Sequence, residues 1–231
     1  MIIGGLQKMS LTDYPGQISA IIFTKGCNLR CPYCYNAGLN AIEAGEKSDI
    51  GEREVLEFLE KRKGKLDAIV ITGGEPTLHS SLEGFMAKIK DKGYLVKLDT
   101  NGTDPEAIKE IWEKGLIDYI AIDLKGPADK YQQAAGVSID VDKYQQAIDY
   151  VIKSRIPHEF RSTMVPALLS KGDIPLMGEM IQGADRWYLQ KFVSNVDMID
   201  NALKNTPSFT DKEMEEMVEI GKNYVKECAY R

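Results

Sequence analysis

Cysteine is scarce in this chain: 231 residues hold four, and three of those fall within eight positions. A secreted disulfide scaffold is shorter and denser in cysteine, so that class is excluded. Clustering of this kind points to metal first and redox chemistry second. Histidine is scarcer still, with His79 and His158 alone. Long apolar runs are missing; Ala20-Ile21-Ile22-Phe23 is typical and falls far short of the ~20 residues a membrane helix needs. The opening Met1-Ile2-Ile3-Gly4-Gly5 lacks the basic, then apolar, then small-residue order of a secretory signal. A cytoplasmic address and no membrane partner are therefore expected. There is no basic excess either. The net charge is −6, which argues against nucleic acid, whose phosphates demand clustered Lys and Arg. The basic run Lys61-Arg62-Lys63 ends a helical pattern, where positive charge suits the helix C-terminus.

What is present is alternation. Apolar, β-branched runs predict strands at about residues 18–24, 67–72, 94–99, 118–123, 158–165 and 186–193. Helical patterns fall between them at about 51–63, 81–92, 104–114, 142–154 and 173–182, with a last one near 210–226. Strand followed by helix, repeated, implies an α/β fold with parallel strands and helical crossovers. Six strands are too few for the closed eight-stranded barrel. The expected architecture is a partial, splayed (β/α)6 barrel of TIM type. No repeat, low-complexity tract or dividing linker interrupts the pattern. One domain is expected over 1–231, with a lead-in segment at 1–17 and a helical tail at about 205–231. The acidic stretch Glu213 to Glu219 alternates with Met and Val at helical spacing and reads as the solvated face of that tail. Trp112 and Trp187 are expected in the core.

In such folds ligands gather at the carboxyl ends of the strands. Here those ends carry Lys25-Gly26-Cys27, Thr72-Gly73-Gly74-Glu75-Pro76, Asp99-Thr100-Asn101-Gly102 and Asp123-Leu124-Lys125-Gly126. Arg161, Ser162 and Thr163 stand at the fifth and Gln190 with Lys191 at the sixth. Cys27, Cys31 and Cys34 form a C-x3-C-x2-C pattern. Three thiolates can hold three irons of a cubane, leaving the fourth open to a further ligand, whereas electron-transfer clusters use four cysteines. Zinc is the competing metal. It would need a fourth donor from His79, His158 or Cys228, and zinc ligands more often come as two separated pairs. His158, at the start of a strand, is expected away from the site, and Cys228 is expected to be an unbridged thiol.

The pattern Cys27-Asn28-Leu29-Arg30-Cys31-Pro32-Tyr33-Cys34, with aromatic Tyr33 before the last cysteine, resembles the radical S-adenosylmethionine (radical SAM) superfamily. Gly73-Gly74-Glu75-Pro76 is similar to its GGEP element. The resemblance implies a [4Fe–4S] cluster on Cys27, Cys31 and Cys34, with S-adenosylmethionine on its open iron. It also implies cofactor contacts from Tyr33, Gly73, Gly74, Glu75, Asp99, Asn101, Asp123, Lys125, Thr163 and Gln190. In that reading main-chain acceptors of the GGEP element meet the cofactor's amino group, Asp99 its ribose and Lys125 its carboxylate. Asp99-Thr100-Asn101-Gly102, Asp123-Leu124-Lys125 and Leu11-Thr12-Asp13-Tyr14-Pro15-Gly16 look like segments of activating enzymes for glycyl radical enzymes. Cys34-Tyr35-Asn36 is similar to the activators of anaerobic ribonucleotide reductase, although this chain is longer and nearer in length to pyruvate formate-lyase activators. The activity implied is reductive cleavage of S-adenosylmethionine to methionine and a 5′-deoxyadenosyl radical, which takes hydrogen from a partner's glycine. Flavodoxin or ferredoxin would supply the electron. Anaerobic ribonucleotide reductase is the partner implied; radical chemistry on a small molecule or on another glycyl radical enzyme, such as a pyruvate formate-lyase type, and a zinc scaffold are the alternatives.

Overall fold

The computed structural model describes residues 1–40 and 47–231. Its strands are β1 (Ile3–Ser10), β2 (Ser19–Thr24), β3 (Ala68–Gly73), β4 (Leu95–Thr100), β5 (Tyr119–Asp123), β6 (His158–Met164), β7 (Arg186–Lys191) and β8 (Glu227–Tyr230). The helices are α1 (Ala37–Asn40), α2 (Glu52–Arg62), α3 (Leu82–Lys90), α4 (Pro105–Glu113), α5 (Tyr131–Ala135), α6 (Val141–Ser154), α7 (Asp173–Met180) and α8 (Asp211–Gly221). The strands follow one another in chain order in a single sheet. All six expected strands and all six expected helices are present. Two strands lie outside the expectation. β1 falls in the lead-in segment, where paired glycines and a Gln7-Lys8 step hide any strand period. β8, only four residues long, falls in the tail expected to be helical, so α8 ends at Gly221 rather than near 226.

Residue contacts divide the chain into two compact units. The first comprises Met1–Asn28, Gly38–Thr100 and Glu106–Ile120. In it β1 runs antiparallel to β2, while β2, β3 and β4 are parallel, with Phe23 opposite Thr72 and Ile69 opposite Val96. Ala68 through Ile71 are fully buried, as strands covered on both faces must be. One sheet face packs Tyr14, Ile21, Ala68, Val70 and Tyr119 together. α2 contributes Val55 and Leu59, and α3 contributes Leu82, Phe85, Met86 and Ile89. Each fully buried aliphatic or Phe side chain of this kind contributes about 1.5–3 kcal/mol.

The second unit comprises Leu29–Ala37, Asn101–Pro105 and Ala121–Arg231. β6, β7 and β8 are parallel, with Phe160 opposite Trp187 and Trp187 opposite Cys228. Trp187 is fully buried and its Nε1 donates to Ser162 Oγ at 2.9 Å, which satisfies both polar atoms in the core. Trp112, by contrast, lies on α4 of the first unit only partly buried. Asp140 caps α6 through Lys143 N, and Thr210 with Glu213 forms a capping box on α8. α8 buries Met214, Met217 and Val218 and leaves its glutamates to solvent. His158 sits at the start of β6, buried, with Nδ1 against Ile156 O and Nε2 accepting from Asp185 N. It is a satisfied core histidine, as expected.

Candidate active site

In the first unit the exits of β2 and β3 lie backbone to backbone. Gly74 N donates to Thr24 O at 2.8 Å and Glu75 N to Gly26 O at 2.6 Å. Gly73 holds φ +114°, and a β-carbon on it would stand 2.4 Å from Thr24 N. On Gly74 a β-carbon would stand 2.1 Å from Gly26 O. Both glycines admit the backbone that leads into Cys27, whose own N–H donates to Asn40 O at 3.2 Å.

Glu75 is fully buried. Its Oε1 accepts from Thr77 N at 3.1 Å, Thr77 Oγ1 at 2.7 Å and Thr100 Oγ1 at 2.7 Å. The carboxylate thus ties the β3 exit to the last residue of β4. His79 Nε2 lies 2.9 Å from Lys25 O, and burial pushes the pKa of its ring down, so it stays neutral and makes a second tie. Asp99 faces Lys97 across 3.5 Å, and Lys97 Nζ also donates to Asp13 O at 2.6 Å. Asp99 therefore has a cation of its own, buried beside it.

In the second unit Cys34 N donates to Cys31 O at 3.0 Å, closing a turn over Cys31-Pro32-Tyr33-Cys34. Cys31 and Tyr33 are buried and Cys34 partly so. Burial pushes the Tyr33 hydroxyl well up, against the opposing charge of Lys125. Asp123, the last residue of β5, is the hub of this unit. Its Oδ2 accepts from Lys125 Nζ at 3.0 Å, and its Oδ1 from Arg161 Nε at 3.0 Å. Burial pushes this carboxyl up, but Lys125 and Arg161 outweigh it and hold its pKa at about 2. Burial also works against the charge on Lys125, yet Asp123, Cys31 and Tyr33 together raise its pKa well above the ordinary lysine value. The Asp123 carbonyl accepts from Tyr144 Oη at 3.0 Å, and the rings of Tyr131 and Tyr144 stand 4.7 Å apart.

Asn101 Oδ1 accepts from Thr103 N at 3.0 Å and Thr103 Oγ1 at 2.7 Å, fixing the turn after β4. Thr163 and Gln190 are register partners across β6 and β7. Sequence reasoning placed Arg161 at a strand end without a role, and missed Thr100, Tyr131 and Tyr144. Nothing in the sequence distinguishes these tyrosines, one on α5 and one on α6, from ordinary core.

The model of the radical SAM superfamily matches residues 21–170. This chain belongs to the radical SAM superfamily. As a radical SAM enzyme it uses a [4Fe–4S] cluster and S-adenosylmethionine as cofactors. A Methanocaldococcus jannaschii protein named as a candidate glycyl-radical enzyme activating enzyme is 35% identical over 238 residues, spanning 100% of this chain and 95% of its own. The pyruvate formate-lyase-activating enzyme of Staphylococcus aureus is 28% identical over 200 residues, covering 81% of this chain and 77% of its own. Among solved structures, Streptococcus suis SuiB bound to S-adenosylmethionine superposes with a TM-score of 0.70 at 15% identity. That match covers 91% of this radical SAM enzyme and 49% of SuiB, about half its length, and shows the shared fold.

The donor set suits the cluster. None of the four cysteines is disulfide-bonded. Cys228 is packed on β8 so close to Gly221 that a β-carbon added there would stand 2.6 Å from its sulfur, and burial pushes its pKa up to about 12. That leaves three thiols on one loop. Among the described residues no three His, Cys, Asp or Glu side chains are drawn around a single point. A cubane takes each thiolate on a different iron and needs no such point. No helix of the described residues is long and apolar enough to cross a membrane.

Proposed function

We propose that this radical SAM enzyme is an activase for a glycyl radical enzyme and that its 231 residues form one radical SAM domain. The observation that carries the reading is the similarity, over the full length of this chain, to a relative named for glycyl-radical enzyme activation. Cys27, Cys31 and Cys34 would hold the cluster and leave one iron for S-adenosylmethionine. When bound, the two cofactors supply reductive cleavage to methionine and a 5′-deoxyadenosyl radical, the acceptor for a hydrogen atom from the α-carbon of a partner's glycine.

The protein's own residues do the holding. Main-chain groups of Gly73 and Gly74 offer acceptors to an ammonium group, and buried Glu75 keeps that loop in place through Thr77 and Thr100. Lys125, kept charged by Asp123, is suited to a carboxylate, and Asp99 to ribose hydroxyls. Asn101, Thr163, Gln190 and Tyr33 are proposed as further contacts. Asp123 acts chiefly through Lys125 and Arg161.

Anaerobic ribonucleotide reductase is the proposed partner, on the strength of Cys34-Tyr35-Asn36 and the 11–16 segment. A pyruvate formate-lyase type of partner is the second reading, favoured by the Staphylococcus aureus relative. Flavodoxin or ferredoxin is the proposed electron donor, in the cytoplasm. The test is anaerobic. The reconstituted, reduced enzyme is mixed with S-adenosylmethionine and each partner, and the partner's glycyl radical is read by EPR, then by backbone cleavage at that glycine in air. A radical in one partner assigns it. Methionine formation without a radical in any glycyl radical partner would refute the activase reading and return small-molecule chemistry to the front.

A further inference from the structure

Within the cysteine turn Cys34 N donates to Cys31 O. Three further bonds reach it from a single segment that follows β7. Ile199 N donates to Cys34 O at 3.3 Å and Asp200 N to Pro32 O at 2.8 Å. Val193 N donates to the Tyr35 hydroxyl at 2.8 Å. The ring of Tyr35 lies nearly parallel to that of Phe192, 14° between planes and 6.4 Å between centres. Phe192 is itself buried, so this end of the segment is anchored in the core.

The segment is braced at its other end as well. Asn205 N donates to Ser194 O at 2.8 Å, closing the loop on itself. Asp200 Oδ1 accepts from Ala202 N at 2.9 Å, starting a 3-10 turn, and Lys204 pairs with Asp197 at 2.6 Å. Met198 is buried beneath it. A loop with its own internal bonds that spends three donors on five residues of another loop behaves as a clamp. Metal sites depend on such outer partners, whose loss typically weakens binding about 10–100-fold.

We infer that residues 192–200 are a clamp that holds Cys31 and Cys34 in position for the cluster, and that Tyr35 is a positioning residue within it. The inference rests on the assignment of the cluster to the three cysteines. Tyr35 touches no ligand in this account; it acts by accepting the Val193 N–H and seating its ring on Phe192. Tyr35→Phe keeps the ring and deletes the acceptor. Ile199→Pro deletes the N–H that reaches Cys34 O.

The experiment reconstitutes full-length wild type and both variants anaerobically and follows iron loss to a chelator by the decay of the cluster absorbance. Melting of each iron-free protein is recorded alongside. Val196→Ser, an exposed position of the same segment, is the control. The expected result is iron loss about 10-fold faster in Ile199→Pro and clearly faster in Tyr35→Phe, with unchanged melting of the iron-free proteins and no effect of Val196→Ser. Wild-type rates in both variants would overturn the clamp. So would faster loss matched by a fall in iron-free melting, because that is general loosening. If Ile199→Pro does not fold, Tyr35→Phe decides alone. A wild type that takes up no [4Fe–4S] cluster would refute the cluster assignment itself, and the clamp with it.

Discussion

Gly74→Ala is the substitution whose effect follows most directly from the geometry. The added methyl group would stand 2.1 Å from Gly26 O, 2.7 Å from Gly26 C and 3.0 Å from Gly26 N. All three are main-chain atoms, so no side chain can swing aside. Relief requires the β3 exit to move away from residues 24–26. That movement breaks the bonds from Gly74 N to Thr24 O and from Glu75 N to Gly26 O. Overpacking costs about 1–3 kcal/mol, and each lost bond about 0.5–1.5 kcal/mol. The expected loss is therefore about 2–6 kcal/mol, a fall in Tm of about 4–24 °C for a chain of this length. Because Cys27 follows Gly26 directly, iron retention should fall with stability. The assay is thermal melting of the iron-free protein, with Gly84→Ala beside it. Gly84 is exposed on α3, where a β-carbon meets nothing within 4 Å, so that change should add about 0.5–1 kcal/mol. A Gly74→Ala protein that melts with the unaltered one would mean that the close approach of the two exits is absent, and the account of this loop would fall.

Cys31→Ala should abolish iron binding and methionine release while leaving far-UV circular dichroism unchanged; retained cleavage of S-adenosylmethionine would count against the cluster assignment. Trp187→Phe should cost about 1–3 kcal/mol in urea unfolding, because it removes the bond to Ser162 Oγ and leaves that hydroxyl buried without its donor. Burial raises the Cys228 thiol from 9.0 to about 12, so the unfolded chain loses its proton first. Stability should therefore decline as pH rises through about 9 toward 12, and Cys228→Ala should flatten that decline in unfolding midpoints measured across the range. Asp123 moves the other way: burial raises it, but Lys125 and Arg161 prevail and lower it from 3.8 to about 2. Its contribution is fully present above pH 3.8 and lost as pH falls toward about 2, so Asp123→Asn should remove part of the acid-side slope.

The sequence by itself determined more of this protein than its length would suggest. β2, β3 and β5 were legible as apolar, β-branched runs of five or six residues, buried almost throughout. The cysteines declare themselves by spacing, since three thiols at C-x3-C-x2-C on a loop have few chemical uses. His158 and the glutamates of α8 were legible from their place in the pattern. β1 and β8 were not legible, because a glycine-rich edge strand and a four-residue strand carry too short a period to register. Glu75, Asp99 and Asp123 were legible as polar residues at strand ends, but their partners were not. Lys97 shares Asp99's strand face, and Arg161 reaches Asp123 from a strand 38 residues away in the chain. Only the tertiary structure decides which cation a carboxylate meets, because that choice depends on sheet register and on which side chain is nearest once water is excluded. The same holds for the clamp over the cysteine turn. Val193 and Tyr35 are 158 residues apart in sequence, and a bond made by a backbone N–H has no side-chain signature to read.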